Sequence, residues 1–375
     1  MTPVSGHDPV SAQPAAGNEA QPSPFHMHRS IHAQPEAVAR TVGRAGAEAD
    51  ELAGRIATSA RVFLLGIGTS HHAARIGEYL FRSAGSDARA VHAFDFALYG
   101  PEPSSNDCVI GISHRGTKRY TTQAMDRARQ AGAATILISG EDGAPHGSAD
   151  VILRTVAQEQ SSAHTVSYTT AVAVLATLAV HTAWHRQVSA ITSEAFLRSE
   201  LPAALEAGLR AEHHVQALAR SHAGRRRIWL AGGGPSAITA EEIALKIKET
   251  SYLQAEGLCV EALVHGPFCC VEADDLFVLI APSGPARART VELAELVGKL
   301  GASCLVVEDE GGEAIGPASA DRLVLPQVPE TLATLTCVVP LQLFAYHLAR
   351  TRGTNPDSFR ADDAGFPQVE QIVQL

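Results

Sequence analysis

The chain has 375 residues, 45% apolar and 19% charged, with a formal net charge of −10. These are ordinary globular values for a chain long enough to bury two cores. The negative balance argues against a nucleic-acid polyanion as main partner, but not against a small phosphorylated ligand, which needs only local donors.

Residues 1–25 have no basic stretch followed by an apolar core, so they are neither a signal peptide nor an anchor. Their Pro, Ala, Ser and Gly content predicts a disordered tail. A helix is expected from the Gln34-Pro35-Glu36 opening to about Ser59. The apolar run Arg61 to Gly66 is of strand length, and a helix to Ser83 follows the turn Gly66-Ile67-Gly68-Thr69-Ser70. Backbone N–H groups and the Thr69 and Ser70 hydroxyls suit an anion there. The full G-x-G-x-x-G spacing is not met, because position 71 is His.

The pattern repeats. A strand at Asp107 to Ile112 ends in Ser113-His114-Arg115-Gly116-Thr117-Lys118, and a helix covers Thr122 to Gln130. Thr135 to Ser139 and Asp150 to Arg154 read as strands. The stretch Glu159-Gln160-Ser161-Ser162-Ala163-His164-Thr165 then opens a long apolar helix to about His185. Its run from Tyr168 to Val180 is too short and too rich in Ala and Thr to span a bilayer, so no membrane partner is expected. Thr192 to Ala223 reads as a linking helix, broken near Leu201-Pro202.

The second half opens like the first. Arg227 to Ala231 is a strand, Gly232-Gly233-Gly234-Pro235-Ser236 the turn, and a helix follows. Strands are expected at Asp275 to Ile280, Ser303 to Val307 and Arg322 to Leu325, with helices at Thr290 to Gly301 and Thr331 to Thr351. Strand, Gly-rich turn and helix thus occur twice in repeats of about 150 residues. The expected fold class is α/β, with two doubly wound parallel-sheet domains in tandem and ligands at the carboxyl ends of the strands. The expected boundaries are a tail at 1–25, a first domain at 26–190, a linking helix at 191–222 and a second domain at 223–375.

Acid, base and cation types concentrate between Ala244 and Pro267. Ala240, Ile243, Ile247 and Ser251 fall on one helix face as a core stripe, and Leu245, Lys246, Glu249, Tyr252 and Leu253 on a second. If both faces pack, Glu249 has apolar neighbours and Lys246 one turn away. Desolvation then raises its pKa and Lys246 lowers it, which suits proton transfer. On spacing alone, a surface Glu on an ordinary helix fits as well. A short irregular segment is expected to deliver Glu261 and His265 into a Gly-Pro turn.

None of the six cysteines sits in a C-x-x-C pair, which reads as free thiols in a reducing cytoplasm. The 17 histidines are scattered without an H-E-x-x-H pattern, so neither a metal nor a cofactor is expected.

Four motifs resemble the tandem sugar-isomerase (SIS) domain family, as found in the isomerase half of glutamine–fructose-6-phosphate aminotransferase. They are Gly66 to Ser70, Ser113 to Lys118, Ala244 to Pro267 and the last helix around Val339 to Ala349. The resemblance covers roughly residues 27 to 360. It implies SIS-type, flavodoxin-like domains and a phosphate pocket built from Gly68, Thr69, Ser70, Ser113, His114, Arg115, Gly116, Lys118, His164 and Thr165. It further implies that Glu249 moves a proton between C1 and C2 of the sugar, with Lys246 beside it. His265 opens the sugar ring and is supplied across a homodimer interface. Two departures stand out. The loop at 113–118 carries His, Arg and Lys where the family has smaller or uncharged residues. The family tail has a lysine that forms a Schiff base, whereas here the segment is Arg360-Ala361-Asp362-Asp363 and no lysine follows Lys299. The imine chemistry then falls to ammonia as a substrate. The chain begins Met1-Thr2, so no glutaminase activity is expected in the same polypeptide.

The expected activity is aldose–ketose isomerisation of sugars like fructose 6-phosphate and glucosamine 6-phosphate, with gain or loss of ammonia. The alternative is a sugar-phosphate sensor without catalysis. Glycine turns also serve tight strand–helix packing alone, but that does not account for Arg115 and Lys118 in one loop. Two long apolar helices, at 168–185 and 331–350, exceed what one sheet face requires and predict a dimer.

Overall fold

The computed structural model describes residues 25–144 and 147–366. The expected tail therefore lies, except for Phe25, outside the described residues. In the first half, α1 (His26–His32) and α2 (Gln34–Thr58) precede β1 (Arg61–Gly66), α3 (Thr69–Ser83), β2 (Ala88–His92) and α4 (Ala93–Leu98). Then come β3 (Asp107–Ile112), α5 (Arg119–Gln130), β4 (Ala134–Ser139), β5 (Val151–Arg154) and α6 (Val166–His185). A π-helical turn at Phe196–Glu200 runs into α7 (Leu201–Arg210), followed by α8 (Glu212–His222).

The second half holds β6 (Arg227–Gly232), α9 (Pro235–Ser251), β7 (Gln254–Cys259), α10 (Val260–Val264) and β8 (Leu276–Ile280). It closes with α11 (Arg287–Leu300), β9 (Ser303–Asp309), β10 (Asp321–Leu325) and α12 (Glu330–Arg352).

Each half forms a five-stranded parallel sheet, in the orders β2-β1-β3-β4-β5 and β10-β9-β8-β6-β7. Read from β7, the second order repeats the first. This is the flavodoxin-like arrangement, in which the strand order reverses beside the first strand of each half and opens a crevice there. Continuous apolar strands such as Val62 to Leu65 and Leu276 to Ile280 are wholly buried, because helices cover both sheet faces. The repeat extends to side chains: Arg61 pairs with Asp107 at the start of β3 as Arg227 pairs with Asp275 just before β8.

Three expectations are corrected. The sequence reading left out β2 and β7, which are edge strands with one neighbour each. An edge position needs no continuous apolar run, and residues 254–259 are therefore a strand rather than an irregular segment. The linker does not break at Leu201-Pro202. Pro202 sits in the first turn of α7, directly after the π-helical turn, and the chain bends at Ala211 instead.

The long apolar helices also find cover within the chain. Both α6 and α12 have the length and hydropathy of membrane spans, yet 89% and 100% of their most apolar windows are buried. Helix α6 packs on α2 and α3, and α12 packs on α8 and α9. One apolar cluster runs from Met27 through α6 and α9 to Leu348, joining the halves. Apolar excess is thus no argument for a dimer.

Candidate functional site

Strand β1 ends in a turn that admits no side chain at its first glycine. A Cβ on Gly66 would lie 2.3 Å from the backbone carbonyl group of Ser70, and Gly68 has φ +57°. This tight turn sets the first residues of α3 against the carboxyl end of the sheet. Thr69, Ser70, His114, His164, Ser167 and Tyr168 line a recess there with about 300 Å³ of atom-free space, part of it open to solvent.

Two residues that line the recess carry buried polar atoms with no protein partner, His114 Nδ1 and the Tyr168 hydroxyl, and the hydroxyl of Ser113, next to His114 in the chain, is a third such atom. Such atoms are costly unless a ligand or water meets them. The carbonyl oxygen of His114 accepts from Gly140 N at 2.9 Å and Gln158 Nε2 at 2.7 Å, which fixes the loop. Its ring Nε2 faces the Glu159 amide at 3.2 Å, and its ring meets His164 edge-on at 5.2 Å. Burial lowers the pKa of both imidazoles, that of His164 to about 4. Both are neutral near pH 7 and contribute dipoles rather than charge.

Charge comes from Arg115 and Lys118, which stand exposed in the same loop. Neither forms an ion pair among the described residues, whereas Arg287, after the matching strand of the second half, meets Glu308 at 3.3 Å and Asp309 at 3.7 Å. This loop of the first half therefore leaves two cations without an ion-pair partner among the described residues, and Arg287 in the second half is paired. Gly116 has φ +72° and lies against Ala144, so that the loop turns there at all.

Thr165 is placed differently from expectation. Its amide and hydroxyl both donate to Glu159, as do those of Ser167. Burial opposes ionisation of Glu159, but His164 and these donors hold its carboxyl below the usual range. A buried carboxylate thus shapes the start of α6, and Thr165 faces it.

Helix α9 carries the second group. Lys246 is wholly buried, with Nζ 2.5 Å from Glu249 and 3.5 Å from Glu242. Burial opposes its charge, but the two carboxylates overcome this and raise its pKa. Glu249 keeps 19% of its side chain exposed, and burial raises its pKa above the usual 4.5 although Lys246 pulls it down.

Glu242 is the residue that sequence reasoning missed. It is fully buried and accepts from Thr69 Oγ1 at 3.2 Å, while His72 Nδ1 lies 2.6 Å away. Burial raises its pKa, yet Lys246, His72 and Thr69 together bring it below the usual range. Thr69 lines the recess, so Thr69, Glu242, Lys246 and Glu249 form one chain of polar contacts from the recess to the largely buried Glu249 carboxylate. The signal was present in the spacing: positions 242, 246 and 249 fall on one helix face.

His265 is not part of that chain. It lies at the end of α10, 74% exposed, 3.1 Å from Glu261, with no hydrogen bond or ion pair to Lys246 or Glu249 among the described residues. Arg289 binds Glu261 from the other side. The tail segment places Arg360 over the Tyr252 ring at 4.8 Å and beside Asp363 at 2.5 Å. Of the cysteines, Cys108, Cys304 and Cys337 are buried, Cys259 is half-buried, and Cys269 and Cys270 are exposed; all six are free.

Residues 55–181 and 223–352 match the SIS domain family, one match in each half. The chain belongs to the SIS domain family. Similar SIS proteins include a glutamine–fructose-6-phosphate aminotransferase (isomerizing) of Thermococcus kodakarensis, 33% identical over 90% of this chain and 57% of its own length. Another from Pyrococcus horikoshii is 32% identical over 88% of this chain and 56% of its own. The chain thus spans a little over half the length of these curated relatives. Among solved SIS structures, the C-terminal domain of glucosamine-fructose-6-phosphate aminotransferase from Francisella tularensis superposes with a TM-score of 0.82. It is 22% identical and covers 90% of this chain and 99% of that one, a likeness of fold.

Proposed function

We propose that the chain is an aldose–ketose isomerase of 6-phosphorylated sugars, acting on substrates like fructose 6-phosphate and glucosamine 6-phosphate with gain or loss of ammonia. The observation that carries this reading is the contact chain from the recess to Glu249. It sets an anion site and a carboxylate of raised pKa on one continuous support. Arg115, Lys118, Ser70, Ser113 and the N-terminus of α3 hold the phosphate. Glu249 takes the proton from one of C1 and C2 and returns it to the other. Lys246 keeps the carboxylate in place and, once Glu249 is protonated, offers a charge toward the developing enediol oxygen. His265 opens the ring from a neighbouring copy, since its own chain leaves it exposed and apart from Glu249.

The test is turnover of fructose 6-phosphate with ammonium, and of glucosamine 6-phosphate, read with solvent deuterium exchange at C2. Interconversion with exchange is expected. Thermal stabilisation by these sugars without turnover or exchange assigns the chain as a sensor instead. Sedimentation of an active monomer overturns the shared site.

Two further outcomes are expected. Replacing Arg115 and Lys118 together with Ala weakens phosphosugar affinity about tenfold to a hundredfold, with little change in kcat, because two charge-assisted contacts are lost from a solvent-facing loop. An unchanged KM removes them from the phosphate site. The second outcome concerns pH. Glu249 must be ionised to accept a proton, and its pKa lies above the ordinary 4.5. The acid limb of kcat/KM therefore lies above that value. Lys246→Met removes the cation that pulls it down, so the limb moves to still higher pH. A limb that shifts the other way overturns the assignment.

A further inference from the structure

We propose that His28, His32, His347 and Glu212 form a binding site for a divalent transition metal of the zinc class, which clasps α1 to α8 and α12. His28 and His32 have the i, i+4 spacing that sets two imidazoles on one helix face, while Glu212 and His347 lie far from them and from each other in sequence. The fold gathers them on three helices. His28 and His32 are four residues apart on α1 and share one face, with ring centroids 4.4 Å apart. Glu212 opens α8 and His347 lies in the last turns of α12.

All three imidazoles point Nε2 at one carboxylate. His28 Nε2 lies 2.7 Å from Glu212 Oε1, His32 Nε2 2.9 Å from Oε2, and His347 Nε2 3.0 Å from Oε1. The ligand atoms of His28, His32 and Glu212 all fall within 4.8 Å of one another. His28, His32 and Glu212 form the core of a donor set for Zn²⁺, and His347, outside that 4.8 Å group but in contact with the same carboxylate, is the fourth ligand for four-coordinate geometry; imidazole suits Co²⁺, Ni²⁺ and Cu²⁺ as well. Bonds of about 2.0–2.2 Å require the outermost donors to draw together by on the order of 1 Å. His32 has the freedom for this, with 39% of its side chain exposed, and it leaves the ion a path from solvent.

The support around the cluster is rigid. The Tyr346 ring packs on His28 at 5.0 Å and on His347 at 4.9 Å, which restrains both imidazole planes. Helix α1 is further tied by Asp357, whose carboxylate accepts from the amides of His26 and Met27, both at 2.8 Å. The backbone oxygen of Asp357 accepts from Ser162 N at 2.9 Å, in the loop that leads to His164 and Thr165. A metal on this cluster would therefore hold the N-terminal helix, the C-terminal segment and the recess loop in register. The competing arrangement is a carboxylate that accepts three imidazole N–H bonds and takes no ion. The two make different predictions.

The test uses the full chain without a polyhistidine tag, stripped with chelator, dialysed and titrated with Zn²⁺ and with Co²⁺. One ion per chain is expected by elemental analysis, together with the visible absorption of four-coordinate Co²⁺ and a Tm raised by a few degrees in excess Zn²⁺. His32→Ala, at an exposed position, should weaken the ion about tenfold or more, as should His28→Ala with His32→Ala, with the far-ultraviolet circular dichroism unchanged. His213→Ala, outside the cluster, should leave binding as it is. Failure to bind a stoichiometric ion overturns the proposal in favour of the hydrogen-bonded cluster. Binding that survives loss of both His28 and His32 overturns it too, because the ion then sits elsewhere among the 17 histidines.

Discussion

Glu249→Gln should lower kcat by about 10²- to 10⁴-fold, while phosphosugar still stabilises the protein against heat as it does the wild type. Glutamine keeps the shape of the side chain and an oxygen for Lys246, 2.5 Å away, but it cannot accept the substrate proton. The phosphate contacts lie in the α3 turn and the 113–118 loop, so binding and chemistry separate. Lys246 keeps Glu242 as a counter-ion at 3.5 Å, which protects the fold in this variant. Deuterium exchange at C2 should vanish with turnover. An unchanged kcat would falsify the assignment of Glu249 as the base.

Glu242→Leu should destabilise the fold by about 3–5 kcal/mol, the range for removing one partner of a buried ion pair. Lys246 is 1% exposed and sits between two carboxylates. Without Glu242 it depends on Glu249 alone, and His72 and Thr69 lose their acceptor. The double change Glu242→Leu with Lys246→Met should recover much of the loss, because no unpaired charge then remains in the interior. Denaturant unfolding of the three proteins reads this directly. A single variant within about 0.5 kcal/mol of wild type, the ordinary range for surface substitutions, would show that Glu242 carries no structural charge balance.

The contrast between these two residues shows where the sequence is legible. Glu249 stands out in the sequence because Lys246 lies one turn before it and the family likeness gives its position a role. Glu242 lies one turn before Lys246 on the same face, yet its partners Thr69 and His72 come from α3, in the other half of the chain. Helical spacing reports neighbours three and four residues away. It does not report which distant side chain closes over them. Thr165 repeats the lesson: the resemblance puts it in the phosphate pocket, but Glu159, six residues earlier, turns back and takes both its donors.

The same limit separates the elements that are legible in the sequence from those that are not. Buried strands such as Arg61 to Gly66 announce themselves as unbroken apolar runs, because each must satisfy two covered faces. The edge strands β2 and β7 are partly exposed and interrupt their apolar residues with Arg89 and with Glu256 and Gly257, so they carry no such mark, whereas the edge strands β5 and β10 keep the runs Val151 to Leu153 and Leu323 to Leu325. Linker breaks depend on where α7 and α8 find packing partners, and Ala211 has no special backbone chemistry to announce the bend.

By itself, the amino-acid sequence determined the doubled α/β repeat, the Gly turns, the loop with Arg115 and Lys118, and the Lys246–Glu249 pair. All of these are written in local periodicity, turn chemistry or short spacing. Only the tertiary structure decided that α6 and α12 are interior helices, that Glu242 joins the two halves, that His265 stands apart from Glu249, and that three histidines meet at Glu212. Those are contacts between segments tens to hundreds of residues apart. They are set by which faces the packed helices bring together, and no local pattern encodes that.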